Sequence, residues 1–151
     1  MQDNALAEIK SDLQTVDVTK LVVYTKKLAE IGTFNKMLAP ALMQDFIIAM
    51  DISNTIFRRA LRCDSQADNA ISVAKSIAFF DKASDYLKEK GIKESAEARK
   101  WYVDQDPDVI AAREVKAQSE ALVAFLKTKI ISFRMGHDDV KKIAYSEEYQ
   151  T

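Results

Sequence analysis

DPDVIAAREVKAQSEALVAFLKTKIISFRMGHDDVKKIAY, from Asp106 to Tyr145, reads as one amphipathic helix with a defined start. The Asp106 side chain can accept a first-turn N–H, and proline at the first helical position loses no hydrogen bond because that N–H has no partner in any helix. Asp108 adds negative charge where the helix dipole favours it. Val115, Ser119, Leu122, Leu126, Ile130, Phe133, His137, Val140 and Ala144 then follow by threes and fours, which keeps them on one side of a helix. About forty helical residues extend roughly 60 Å, far beyond the ~13 Å radius of gyration of a compact 100-residue domain. The stripe therefore needs covering by another long helix, by further copies of the chain, or by both.

Outward from that stretch, the composition points the same way. The 151 residues are 48% hydrophobic, with three glycines and two prolines, and the apolar positions recur at helical spacing. The expected fold is all-α: long amphipathic helices form a helical hairpin or coiled-coil-like protomer that assembles into a homo-oligomer. The expected divisions are an N-terminal arm over 1–16, a first helical part over 17–62, a turn at 63–69, middle helices over 70–105, the long assembly helix over 106–145 and a tail over 146–151. A net charge of −1, from 22 basic and 23 acidic residues, announces neither nucleic acid nor membrane, so any basic surface has to be local. The lone Cys63 cannot close an intrachain disulfide, and the polar, acidic N-terminus does not suit a signal peptide. A cytoplasmic, soluble protein is expected, since no apolar run approaches the ~20 residues that span a bilayer.

Along the chain, Leu6, Ile9 and Leu13 share a face of a short helix or frayed arm. Asp17 or Thr19 caps the next helix, whose stripe is Leu21, Tyr24, Leu28 and Ile31, ending near Gly32. Pro40 disfavours the helical conformation at Ala39 and suits the first turn of a helix running through Arg62. That helix is apolar nearly all round, which implies burial on several sides. Asp64, Ser65, Asp68 and Asn69 favour the turn at 63–69. Beyond it, Val73, Ile77, Phe80, Ser84 and Leu87 spell a further stripe ending at Gly91, and Ser95 caps a short helix.

Enzymatic constellations are missing. His137 and Cys63 are each single and lie on different elements, and no zinc spacing or glycine-rich phosphate loop occurs; of Asp104, Asp106 and Asp108, the carboxylates that could hold a cation, the last two are explained by capping. No enzyme, metal or cofactor is expected. His137 is either a packed seam residue or a pH-sensitive element of assembly. Arg58, Arg59 and Arg62 crowd one and a half turns: they either solvate and complement a helix C-terminus or contact phosphates, for which the guanidinium is suited. Arg99, Lys100, Trp101 and Tyr102 offer charge and a stacking surface for single-stranded bases, with a core role for the tryptophan as the other reading.

Three local patterns occur in register. They are Asp17-Val18-Thr19-Lys20-Leu21; Phe57-Arg58-Arg59-Ala60-Leu61-Arg62; and Asp106-Pro107-Asp108-Val109-Ile110, followed by Phe125 and Lys141-Lys142-Ile143. In this order and spacing the chain resembles the UvsY family of tailed-phage recombination mediators, over most of its length outside about 65–93. The resemblance implies a small helical protein that forms a ring-like homo-oligomer and binds single-stranded DNA. It also implies help in loading a RecA-like recombinase onto strands coated with single-strand-binding protein, in the host cytoplasm for a phage-encoded chain. The family's DNA-binding motif falls on Arg58, Arg59 and Arg62. Its assembly helix falls on Leu122, Leu126, Ile130, Phe133, His137, Val140 and Ile143. The competing expectation is a coiled-coil scaffold or adaptor without nucleic-acid binding.

Overall fold

The structure is a computed structural model that describes residues 2–146, and the secondary structure in that range is helical throughout. In chain order it contains α1 (Gln2–Gln14), α2 (Lys20–Ala29), a 3-10 turn (Lys36–Leu38), α3 (Ala39–Ile77), a π-helical turn (Ala78–Lys82), α4 (Ala83–Glu89), α5 (Ala96–Gln105) and α6 (Pro107–Tyr145). The expected tail lies, beyond Ser146, outside the described residues. The chain forms two units. The first combines the N-terminal residues up to Thr15 with Ala60–Ala121; the second combines Val16–Arg59 with the chain from Leu122 onward.

Within the first unit, α6 begins where its aspartate and proline require. Asp106 is extended (φ −63°, ψ 127°), and its Oδ2 accepts the N–H groups of Asp108 at 3.1 Å and Val109 at 3.2 Å. This cap is fully buried. Its other oxygen accepts the Tyr102 hydroxyl at 2.9 Å and the Lys82 ammonium at 3.2 Å. Burial alone would raise the Asp106 carboxyl, but the hydrogen bonds from Tyr102, Lys82 and Val109 outweigh it and hold the group below the usual carboxylate range. Hydrogen bonds to Asp108 and then Asp106 raise the Lys82 ammonium against the opposing effect of burial.

The expected turn at 63–69 is not there: α3 runs through it without a break. Cys63, Ala67, Ala74 and Ala78 are all buried, so the segment presents an apolar stripe at helical spacing. Asp64 and Asp68, the residues that suggested a turn, reach Lys116 of α6 at 2.9 and 2.8 Å, and Asp64 also accepts the Ser119 hydroxyl at 2.8 Å. Burial would raise the Asp64 carboxyl, but the bonds from Lys116 and Ser119 lower it. Lys116 is raised, chiefly by Asp68 and then by Asp64, against burial. Tertiary ion pairs and burial thus override local turn propensity, which is a weak prior.

The stripe expected through Val73 and Phe80 also differs. Val73 is 49% and Phe80 70% exposed, and the buried positions are Ala74, Ala78, Ala83 and Leu87. The π-helical turn inserts one residue, so the step from Ala78 to Ala83 is five, and the same face is kept on both sides of it. These alanines pack with Tyr102, Val103 and Val109, flanked by Phe79 and Tyr86. The bulk in this core comes from α5, where Tyr102 lies 4.8 Å from Tyr86 between ring centroids. A second cluster joins Ile9 of α1 to Cys63, Ala67 and Val115, with Leu6 and Leu13 against it.

Helix α4 ends at Gly91, whose φ of 67° suits glycine; Ile92 N–H donates to Leu87 O at 2.9 Å and Gly91 N–H to Lys88 O at 3.1 Å. Ser95 caps α5 as its position predicts, accepting the Ala98 N–H at 3.1 Å.

Within the second unit, Asp17 accepts the Thr19 N–H at 2.9 Å, together with its hydroxyl, just before α2. Ala39 is helical (φ −55°, ψ −45°) despite the following Pro40, because its N–H is held by Lys36 O of the preceding 3-10 turn. Phe46 of α3 and Phe133 of α6 are fully buried and stack with centroids 6.3 Å apart. A Cβ on Gly136 would stand 2.5 Å from Leu28 Cδ2 and 3.3 Å from both Ile31 and Phe46, so the missing side chain admits α2 and α3 side chains close to α6.

Candidate nucleic-acid interface

Arg58, Arg59 and Arg62 are all exposed, while the residues between and beside them, Ile56, Ala60 and Cys63, are buried. The helical register produces this: 56, 60 and 63 turn inward, leaving 58 and 62, one turn apart, pointing outward. The expected reading of these arginines as a helix C-terminal turn fails, since α3 continues to Ile77 and no free carbonyls lie beneath them to complement. The nearest downstream carboxylate, Asp64, is already engaged by Lys116 and Ser119. Among the described residues, Arg58 and Arg62 form no ion pair.

On α5, the three candidates separate. Arg99 is committed internally: it pairs with Glu94, donates to Phe79 O at 3.3 Å and lies 5.5 Å from the centre of the Phe79 ring. Lys100 is exposed. Trp101 is 46% exposed with its ring 6.3 Å from that of Tyr86, while the next residue, Tyr102, takes the core position. The core reading of the tryptophan therefore does not hold.

The assembly residues expected on α6 are mostly withdrawn from the surface. Leu126, Phe133 and Val140 are fully buried, Leu122, Ile130 and His137 half-buried, and Ile143 is 37% exposed. The stripe is covered by the chain itself. The His137 Nδ1 lies 3.1 Å from its neighbour Asp138.

The remaining carboxylates offer little to a cation. Asp104 pairs with Arg113 at 2.8 Å, and Asp106 and Asp108 pair with Lys82. Among the described residues no group of three or more acidic, histidine or cysteine side chains could hold a metal, and no helix is long and apolar enough to cross a membrane. A cleft of about 390 Å³ between α1 and α3 is apolar within, through Leu6, Ile9, Ala70 and Val73. Glu8 and Asp12 line it too, which disfavours a phosphate there.

Sequence reasoning missed Lys75, Phe79 and Phe80, which line a shallow groove together with Lys100. The adjacent phenylalanines were a usable signal, because two neighbours on a helix cannot both enter one core face. Comparison of the chain with protein-family models, with curated proteins and with solved structures finds no match.

Proposed function

We propose that the protein is a non-enzymatic recombination mediator of the UvsY kind. It binds single-stranded DNA as a homo-oligomer and assists loading of a RecA-like recombinase onto strands coated with single-strand-binding protein. The observation that carries this reading is the exposed run Arg58, Arg59 and Arg62 in mid-helix, where no helix terminus explains it. Guanidinium groups suit phosphate oxygens, and repetition over several subunits turns a small patch into a track for a strand. Since the innermost stripe of α6 is covered within the chain, assembly uses other faces; Ile47 and Ile48 of α3 and Ile131 and Met135 of α6 are exposed apolar residues available for it.

The test is fluorescence anisotropy with a labelled oligothymidine at increasing salt. Each single-strand phosphate contact contributes about 0.7 to the slope of log affinity against log salt, so an arginine triplet accounts for roughly 2 per engaged subunit. The triple alanine variant at 58, 59 and 62 should keep its light-scattering mass yet lose that slope and most of its affinity. Unchanged affinity would refute the site. The net charge of −1 favours the second reading, a scaffold or adaptor without nucleic-acid binding, which predicts no salt-dependent binding at micromolar protein.

A further inference from the structure

Phe80 lies on the π-helical turn and is 70% exposed, an unusual placement for a phenylalanine in a helix whose neighbouring positions supply a core. It is also braced. The Phe79 ring meets it edge-on at 5.0 Å and 74°, and Phe79 is held in turn by Arg99, through its carbonyl and across its ring. Beside Phe80 runs an open groove of about 480 Å³ lined by Lys75, Ser76, Phe79, Lys100, Val103 and Asp104. The acid in this set is neutralised by Arg113, whereas Lys75 and Lys100 form no ion pair among the described residues. An exposed, braced aromatic ring lining one groove with these two lysines suits an unpaired base with its flanking phosphates.

We infer that this groove holds a nucleotide of a single DNA strand, its base stacked on Phe80 and its flanking phosphates on Lys75 and Lys100. The inference rests on the proposed single-strand binding and adds to it a base-contacting site separate from the arginine run. Stacking on a π-face tolerates any base, so the site supplies affinity without sequence preference. The π-helical turn is what makes it possible, because the extra residue keeps Ala78 and Ala83 in the core while Phe80 is turned outward.

The experiment compares binding of an oligothymidine and an abasic strand of equal length. Phe80→Ala should weaken binding to the oligothymidine on the order of tenfold, within the range seen for single stacked bases, and leave binding to the abasic strand unchanged. Phe80→Tyr should restore affinity and Phe80→Leu should not, which separates stacking from bulk apolar contact. The Lys75→Ala, Lys100→Ala double variant should lower the salt slope by about 1.4 on both strands. Melting temperatures should fall by at most a few degrees, since Phe80 is exposed and only its edge contact with Phe79 is lost. Equal loss on both strands, or wild-type affinity in Phe80→Ala, overturns the inference. A changed light-scattering mass in Phe80→Ala also overturns it, by making the ring a contact between copies. If the arginine variant loses binding while Phe80→Ala keeps it, the proposed function stands and only this site falls; if the wild-type protein binds neither strand, both fall.

Discussion

Replacing Phe133 by alanine separates a core residue from an assembly residue on the stripe of α6. Phe133 is fully buried and stacks on Phe46, itself fully buried, at 6.3 Å. Truncating such a ring removes its transfer free energy and leaves a cavity, together about 3–5 kcal/mol. Tertiary contacts on both sides limit collapse into the space: Phe46 faces the ring, and Gly136, one turn along, is already closely approached by Leu28 and Ile31. The upper half of that range is therefore expected. Against a total stability of about 5–15 kcal/mol, the loss is a large share, and at about 2–4 °C per kcal/mol for a chain of this size the melting midpoint should fall by roughly 8–20 °C. Thermal and urea melts of the wild type and Phe133→Ala at several protein concentrations provide the assay. The reasoning requires the shift between the two proteins to be the same at every concentration. A variant that melts like the wild type but loses oligomer mass would show that the ring belongs to an interface between copies, and the packing argument would be wrong.

Three further outcomes follow from the first unit. In double-mutant cycles with Lys116→Met, Asp64→Asn should show a coupling of about 1 kcal/mol and Asp68→Asn only a few tenths, because solvent screens an exposed pair; although Asp68 is marginally closer to the ammonium, its side chain is 61% exposed against 22% for Asp64. Equal couplings would refute the ranking. The depressed Asp106 and Asp64 carboxyls contribute stability that is present above their unfolded value of about 3.9 and lost as pH falls through their folded values. The raised Lys82 and Lys116 contribute stability present below about 10.4 and lost as pH rises through their folded values. Urea midpoints should accordingly hold a plateau at neutral pH and fall toward both extremes, and Asp106→Asn should flatten the acid limb; an unchanged acid limb in that variant would count against Asp106. Gly91→Ala should cost about 1 kcal/mol, the penalty for a Cβ at a left-handed backbone position, since φ there is 67° and no neighbour lies within 4 Å to add a clash. A neutral effect in urea melts would mean that the cap relaxes freely.

Much of the fold is local in origin and so was legible in the residues. The start of α6 at Asp106-Pro107, the Ser95 cap and the end of α4 at Gly91 depend on the chemistry of a few adjacent residues, and the α6 stripe depends only on spacing. What covers that stripe did not follow, because periodicity shows that a face is apolar without saying whether the same chain or another copy lies on it. The segment at 63–69 carries turn residues, and only Lys116 and Ser119, some fifty positions later, give Asp64 and Asp68 a reason to stay helical. That one difference also changed the arginines, from the end of a helix to an exposed run in its middle. The groove at Phe80 was hidden for a related reason: a five-residue step breaks the 3.6 periodicity on which sequence reading relies, and it is stabilised by the packing of Ala78 and Ala83 against α5. Capping and amphipathic spacing belong to the sequence alone. Register shifts, long-range ion pairs and the choice between covered and open faces were decided by tertiary structure, since each depends on residues far apart in the chain meeting in space.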